Sequence, residues 1–81
     1  MDQIKLRNLR LILTNYFSLE ELRVICFDLS VDIDDLPGTG KSSKALELVA
    51  YLNMRSRLDE LIQLIDKERP QLNLDEMLMR R

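Results

Sequence analysis

The stretch Phe17-Ser18-Leu19-Glu20-Glu21-Leu22 contains the strongest local structural signal in the chain. The Ser18 hydroxyl can accept a hydrogen bond from the Glu21 amide, and the Glu21 carboxylate can accept one from the Ser18 amide, which together make a capping box. Phe17 and Leu22 flank this box at the spacing of a hydrophobic staple. The stretch therefore predicts that a helix begins after Ser18.

This helix is predicted to extend to about Leu29 or Ser30, because its apolar residues follow the helical period. Its predicted core positions are Leu22, Ile25, Cys26 and Leu29. Val24 and Phe27 lie off that face.

A helix is also predicted before the quoted stretch, from about Gln3 to Asn15, with Asp2 as its cap. Its predicted core stripe is Leu6, Leu9, Leu13 and then Tyr16 or Phe17. Projected at about 100° per residue, Ile4 and Leu11 fall on the opposite side, beside Arg7. They are candidate exposed apolar contacts.

After the second helix, residues 31–36 alternate apolar and acidic side chains. A single strand would have no pairing partner in a helical chain, so a short helical turn is favoured. The loop Leu36-Pro37-Gly38-Thr39-Gly40 follows, since proline disfavours helix at the preceding residue and glycine permits positive φ. Three further helices are predicted: one from Ser42 or Ser43 to Arg55, one over residues 58–65 that ends before Pro70, and a short one capped by Asn73. The first is expected to bury Ala45, Leu48, Val49 and Leu52, and the second to use Leu58, Leu61, Ile62 and Ile65. The apolar residues of the last are Leu74, Met77 and Leu78.

These helices are too short for an autonomous coiled coil, so they are expected to pack together. The 81 residues are 46% apolar and 32% charged, with only two glycines and two prolines, a composition typical of a compact helical domain. The predicted fold class is all-α, a compact bundle of five to six helices. A single domain over residues 1–81 is expected, with a core at about 3–72 and a short C-terminal helix at about 74–80.

Composition lowers the expectation for several classes of function. The net charge of −2 argues against nucleic-acid binding, which usually requires a basic surface. The longest uncharged apolar run is far short of the roughly 20 residues that span a bilayer, so a cytoplasmic protein without membrane contact is expected. Cys26 is the single cysteine and histidine is absent, which argues against a disulfide, the usual zinc sites and histidine bases.

Two motifs resemble ligand-binding loops, one for phosphate and one for calcium. In both, an ordinary structural role explains the residues better than ligand binding does. Residues 38–42 (Gly-Thr-Gly-Lys-Ser) match the end of a phosphate-binding loop, but Asp35 stands where the first glycine of that motif belongs. The aspartates of residues 28–35 lack the glycine and the closing glutamate of a calcium loop. We therefore expect no catalytic residue, no cofactor and no metal.

The distribution of charge indicates a protein-interaction role. Four aspartates form an acidic edge between the second helix and the following loop: Asp28, Asp32, Asp34 and Asp35. Basic residues on the first and the third long helix are expected to meet that edge in a neighbouring copy or related domain: Arg7, Arg10, Lys44 and Arg55. Tyr51, Met54, Ile4 and Leu11 are expected to frame the contact. Such a contact between different surfaces joins copies head to tail into rings or filaments.

A different class of function remains open as an alternative. Short helices with arginines also occur in helix-turn-helix nucleic-acid-binding domains. A recognition helix of that kind needs several exposed basic or amide side chains, and no predicted helix here has a dense set.

Several short blocks, in order and spacing, resemble the bacterial death-like domains, also called effector-associated domains. The blocks are residues 17–23 (FSLEELR), 26–29 (CFDL), 31–32 (VD), 36–38 (LPG), 40–41 (GK), 48–52 (LVAYL), 58–61 (LDEL) and 69–70 (RP). The resemblance covers roughly residues 4–72.

The resemblance implies a death-fold bundle that acts as an adaptor. Such a domain would join a sensor or nucleotide-hydrolysing switch protein to an effector such as a protease, through contacts with related domains, in prokaryotic immunity or programmed cell death. Where the family tends to have glycine after the second helix and again before the helix that begins near Leu58, this chain has Ser30 and Ser56. The substitutions bear on the sharpness of those two turns.

Overall fold

The computed structural model describes residues 3–79, which form five α-helices and one short 3-10 helix with no strand. The elements are α1 (Gln3–Tyr16), α2 (Leu19–Asp28), the 3-10 helix (Ile33–Asp35), α3 (Lys41–Met54), α4 (Leu58–Glu68) and α5 (Leu74–Met79). The predicted all-α bundle is confirmed. The predicted cap of α1 by Asp2 and the extension of the last helix to residue 80 lie outside the described residues.

The capping box at the start of α2 is present as predicted. The Ser18 Oγ accepts a hydrogen bond from the Glu21 amide at 3.1 Å, and Glu21 Oε1 accepts one from the Ser18 amide at 2.9 Å. Phe17 and Leu22, the two residues of the predicted staple, are both buried. This local geometry fixes the direction in which the chain enters α2.

One core runs through the described chain and includes residues from every helix. The buried apolar residues are Leu9, Ile12, Leu13, Phe17, Leu22, Ile25, Cys26, Leu29, Val31, Ile33, Leu36, Ala45, Leu48, Val49, Leu52, Leu58, Leu61, Ile65, Leu74 and Leu78. The core faces of α2 and α3 match the sequence prediction.

On α1 the prediction needs correction. Ile12, outside the predicted stripe, is buried, whereas Leu6 only packs against the edge of the core. Of the two alternatives Tyr16 and Phe17, Phe17 is the buried one. Ile4 and Leu11, predicted to be exposed, are half-buried. The cause is that α1 contacts both α3 and α5, so a wider part of its surface is covered than a single stripe would be.

Residues 31–36 form a short helical turn, as predicted. The Asp32 Oδ1 atom accepts a hydrogen bond from the Asp34 amide at 2.9 Å and so caps the 3-10 helix. Gly38 then adopts a φ of 87°, and its missing side chain leaves room for Ser43 of α3. Gly40, with a φ of −92°, precedes α3 without needing the conformational freedom of glycine.

Ser30 and Ser56 adopt left-handed backbone conformations, with φ values of 60° and 55°. These are the two positions where the resemblance described above leads to an expectation of glycine. The turns after α2 and after α3 therefore keep the sharp geometry that glycine would favour, although serine is strained there.

The C-terminal helix α5 packs onto α1. Leu74 and Leu78 are buried, and the Asn8 side-chain amide donates a hydrogen bond to the Leu78 carbonyl at 3.2 Å. Asn73 caps α5 as predicted, because its Oδ1 accepts from the Glu76 amide at 3.3 Å. The residues from 74 to 79 therefore contribute to the bundle.

Candidate protein-interaction surfaces

The four aspartates predicted as an acidic edge lie between the end of α2 and the end of the 3-10 helix. Asp28 ends α2, Asp32 caps the 3-10 helix, and Asp34 and Asp35 belong to that helix. All four are exposed. Arg23 pairs with one of them: its Nη1 lies 3.9 Å from Asp34 Oδ1, in an exposed pair of little energetic value. We call these four aspartates the acidic segment.

Lys44 lies against the acidic segment of its own chain. Its Nζ donates hydrogen bonds to the carbonyls of Ile33, at 2.8 Å, and Leu36. The lysine thus stabilises the backbone that presents the aspartates. Its place in the fold differs from the sequence expectation, which grouped it with the basic residues opposite that edge, and its contact with a partner stays a prediction.

Two apolar side chains beside the acidic segment are exposed. Phe27 is 81% exposed and Val24 is 58% exposed, one helical turn apart on α2. Phe27 also borders a shallow groove of about 580 Å³ whose lining includes Arg23, Asp32 and Ile33. The sequence predicts that both residues lie off the core face, but they are not among the candidate contacts predicted above. Their large exposed apolar area is the feature that distinguishes them from ordinary surface residues.

A second candidate surface is a groove of about 360 Å³ between α1 and α3. Its lining residues are Gln3, Leu6, Arg7, Arg10, Leu46, Val49, Ala50, Asn53 and Met54. Met54 is 81% exposed and Leu46 is 51% exposed. The groove therefore brings together three of the predicted contact residues, namely Arg7, Arg10 and Met54, around an apolar floor. We call it the α1/α3 groove.

Arg55 and Tyr51 lie on a different face of α3. The Arg55 guanidinium stacks on the Tyr51 ring, with Cζ 3.6 Å from the ring centroid, and Nη1 donates to the Tyr51 carbonyl at 3.2 Å. Lys44, Tyr51 and Arg55 recur at intervals of seven and four residues and so share one helix face, whereas Leu46 and Ala50 share another. The four predicted basic residues are thus divided between two surfaces: Arg7 and Arg10 line the α1/α3 groove, whereas Lys44 and Arg55 lie on another face of α3.

The apolar residues that were predicted to frame the contact also lie in different parts of the surface. Tyr51 is half-buried and packs against the core. Leu11 faces a separate groove of about 250 Å³ between α1 and α5, together with Asn15, Tyr16 and Met77. Of the predicted apolar contacts, Met54 alone lines the α1/α3 groove.

Two other arginines hold elements of the bundle together. Arg57 donates to both carboxylate oxygens of Glu60, at 3.0 and 3.1 Å, and to the Leu29 carbonyl at 2.6 Å. The hydrogen bond with Glu60 raises the pKa of Arg57, and the same bond lowers the pKa of Glu60. Arg69 pairs with Glu21. These cations serve contacts within the chain.

The described residues contain little that could serve as a reactive or metal-binding site. Burial raises the pKa of the Cys26 thiol to about 11, so the reactive thiolate is scarce at neutral pH. Within residues 3–79 there is no group of three or more Cys, Asp or Glu side chains placed to hold a metal ion. No helix of that part of the chain has both the length and the apolar character needed to span a membrane.

A small helical bundle with an acidic surface, a basic-rimmed groove and exposed apolar side chains on both has the features of a protein-binding domain. The family model of effector-associated domain 7 matches residues 6–70, and the chain belongs to this family. The resemblance to effector-associated domains is thereby confirmed, and the family indicates a role associated with effectors. Comparisons with curated proteins and with solved structures gave no significant match.

Proposed function

We propose that this chain is an adaptor domain that recruits or clusters an effector, such as a protease, by binding a partner that carries a related death-fold domain. The domain acts by binding alone, without a catalytic step. The setting implied by the family resemblance is prokaryotic immunity or programmed cell death, in the cytoplasm. Membership of the effector-associated family supports the link to an effector.

One observation carries the proposal: a single small domain presents two exposed surfaces of opposite charge, each with exposed apolar side chains. The acidic segment lies beside Phe27, and Arg7 and Arg10 rim the α1/α3 groove beside Met54. Opposite charges steer two domains together, and apolar burial then holds them. The two surfaces are suited to bind each other in different molecules of the same fold.

The first test is light scattering after size-exclusion chromatography, over a wide range of concentration at low and high salt. The mass should increase with concentration and decrease with salt, because added ions screen exposed charges. The double variant Asp34→Lys, Asp35→Lys should abolish association. It spares Asp32, whose side chain caps the 3-10 helix, so the fold should stay intact by circular dichroism.

A matched control is Asp59→Lys, Asp66→Lys. Both residues are exposed on α4, and neither lines the α1/α3 groove or belongs to the acidic segment. The change in net charge is the same, so an effect of total charge would appear in both variants. If the Asp34 and Asp35 variant associates as strongly as the control, the acidic segment is the wrong surface.

A second test measures recruitment directly. The domain is fused to each half of a split reporter enzyme, and the signal is compared with that of unfused halves and of the Asp34→Lys, Asp35→Lys fusions. An adaptor that binds a related domain should restore reporter activity in the wild-type fusions alone. Equal signals in all three would contradict contact between related domains.

A further inference from the structure

Phe27 is the most unusual side chain on the surface of α2. It is 81% exposed, although it sits in the last turn of a helix whose other face is part of the core. The helix beneath it is held by the capping box and by the bond from Arg57 to the Leu29 carbonyl. Phe27 is therefore a large apolar side chain on a rigid base, the type of residue that anchors protein interfaces.

The α1/α3 groove is a suitable receiving site for such a side chain. Leu6 and Val49 are among its less exposed lining residues, and Leu46 and Met54 are exposed beside them. Ala50 adds no bulk to the groove. Phe27 does not line the groove of its own chain.

We propose that Phe27 of one copy inserts into the α1/α3 groove of a second copy, with the acidic segment of the first, Asp28, Asp32, Asp34 and Asp35, facing Arg7 and Arg10 of the second. This inference rests on the proposed function and specifies its contact. Charge complementarity selects the pairing, because the aspartates flank Phe27 and the arginines rim the groove.

The same charges exclude a symmetric pair. If Phe27 met Phe27 of a second copy, Asp28 and Asp32 would face their own equivalents, and like charges at an interface are unfavourable. If groove met groove, Arg7 and Arg10 would oppose themselves. The contact is therefore heterologous: each copy offers Phe27 to one neighbour and its groove to another, and the chain of contacts continues.

Because the contact joins two different surfaces, it can be tested by a complementation experiment with the 81-residue chain. Phe27→Ala removes the anchor and leaves the groove, whereas Ala50→Glu fills the groove with bulk and negative charge and leaves the anchor. Both positions are exposed and helical, so both variants should fold. The matched controls are Met79→Ala, at an exposed methionine of α5, and Gln63→Glu, at an exposed position of α4.

Sedimentation equilibrium is measured for each variant alone and for an equimolar mixture of the two. Each variant alone should self-associate at least about thirtyfold more weakly than wild type, as expected when an interface anchor or its receiving site is lost. Each should therefore be monomeric at concentrations where wild type associates. The mixture should form a one-to-one heterodimer and nothing larger, because one intact anchor and one intact groove remain available. The two controls should associate like wild type.

Four results would overturn the inference. The first three are association of Phe27→Ala within about threefold of wild type, a mixture that stays monomeric, and a mixture that forms large assemblies. A wild-type chain that is monomeric at every concentration also overturns it, since a second copy is then not the occupant. The split-reporter assay, repeated with a different related domain on one half, separates that outcome from a failure of the proposed function.

Discussion

Arg69 pairs with Glu21 across 48 residues of sequence and so ties the end of α4 to the beginning of α2. The Arg69 guanidinium also lies over the Phe17 ring, with Cζ 4.5 Å from the ring centroid. Glu21 is thus a member of the capping box and of an ion pair. Its hydrogen bond with the Ser18 backbone, followed by the contact with Arg69, lowers the pKa of the Glu21 carboxyl.

The lowered pKa of Glu21 predicts a loss of stability in acid. Below the ordinary carboxyl pKa of 4.5 the unfolded chain takes up a proton at this position before the folded chain does. The stabilisation is therefore complete above about pH 4.5 and is lost as the pH falls through the folded-state pKa. Urea unfolding midpoints measured from pH 7 to pH 3 should decrease less steeply for Glu21→Gln than for wild type.

Glu20→Gln is the control for this comparison, because Glu20 is exposed in the same helical turn and lies outside the capping box. Its midpoints should follow the wild-type curve. An unchanged slope for Glu21→Gln would mean that the contacts of Glu21 with Ser18 and Arg69 do not stabilise the folded state.

Sequence reasoning succeeded where the determining contacts are local. The capping box at Ser18 and Glu21 spans four residues, and the buried face of α3 follows from helical period alone. The role of Lys44 could not be predicted from the sequence, because its hydrogen bonds to the carbonyls of Ile33 and Leu36 depend on how α3 packs against the 3-10 helix. A helical projection shows which residues share a face but not which element that face meets. The projection likewise predicts that Phe27 lies off the core face, but it does not show which residues surround Phe27.

Gly38→Ala should lower the free energy of unfolding by roughly 2–3 kcal/mol. Gly38 has a φ of 87°, and a Cβ atom there would lie 2.4 Å from the Ser43 Cβ, so the loop before α3 would have to shift. Gly40→Ala is the matched control, since its φ is −92° and nothing lies within 4 Å of the added atom. Thermal and urea unfolding should leave Gly40→Ala close to wild type, and equal losses in both variants would contradict this account.

Ser30→Gly and Ser56→Gly should each raise the free energy of unfolding by about 0.5–1 kcal/mol. Glycine relieves a left-handed conformation that costs other residues about 1–2 kcal/mol, and its greater freedom in the unfolded chain offsets part of the gain. Both serines are exposed, so no packing is lost. Ser42→Gly, at an exposed helical position of α3, is the control and should be destabilising. Chemical denaturation resolves these differences, and a loss of stability at residue 30 or 56 would refute the strain argument.

Lys44→Met should destabilise the protein by about 1–3 kcal/mol, because it removes charged hydrogen bonds to two backbone carbonyls. The loss should also increase hydrogen exchange at the amides of Asp35 and Leu36, which close the 3-10 helix. Lys41→Met is the control: Lys41 begins α3, where a cation opposes the helix dipole, so its removal should be neutral or slightly stabilising. If Lys44→Met keeps wild-type stability and exchange but loses self-association, Lys44 acts on the partner, and the sequence-based assignment of this lysine to the contact is the correct one.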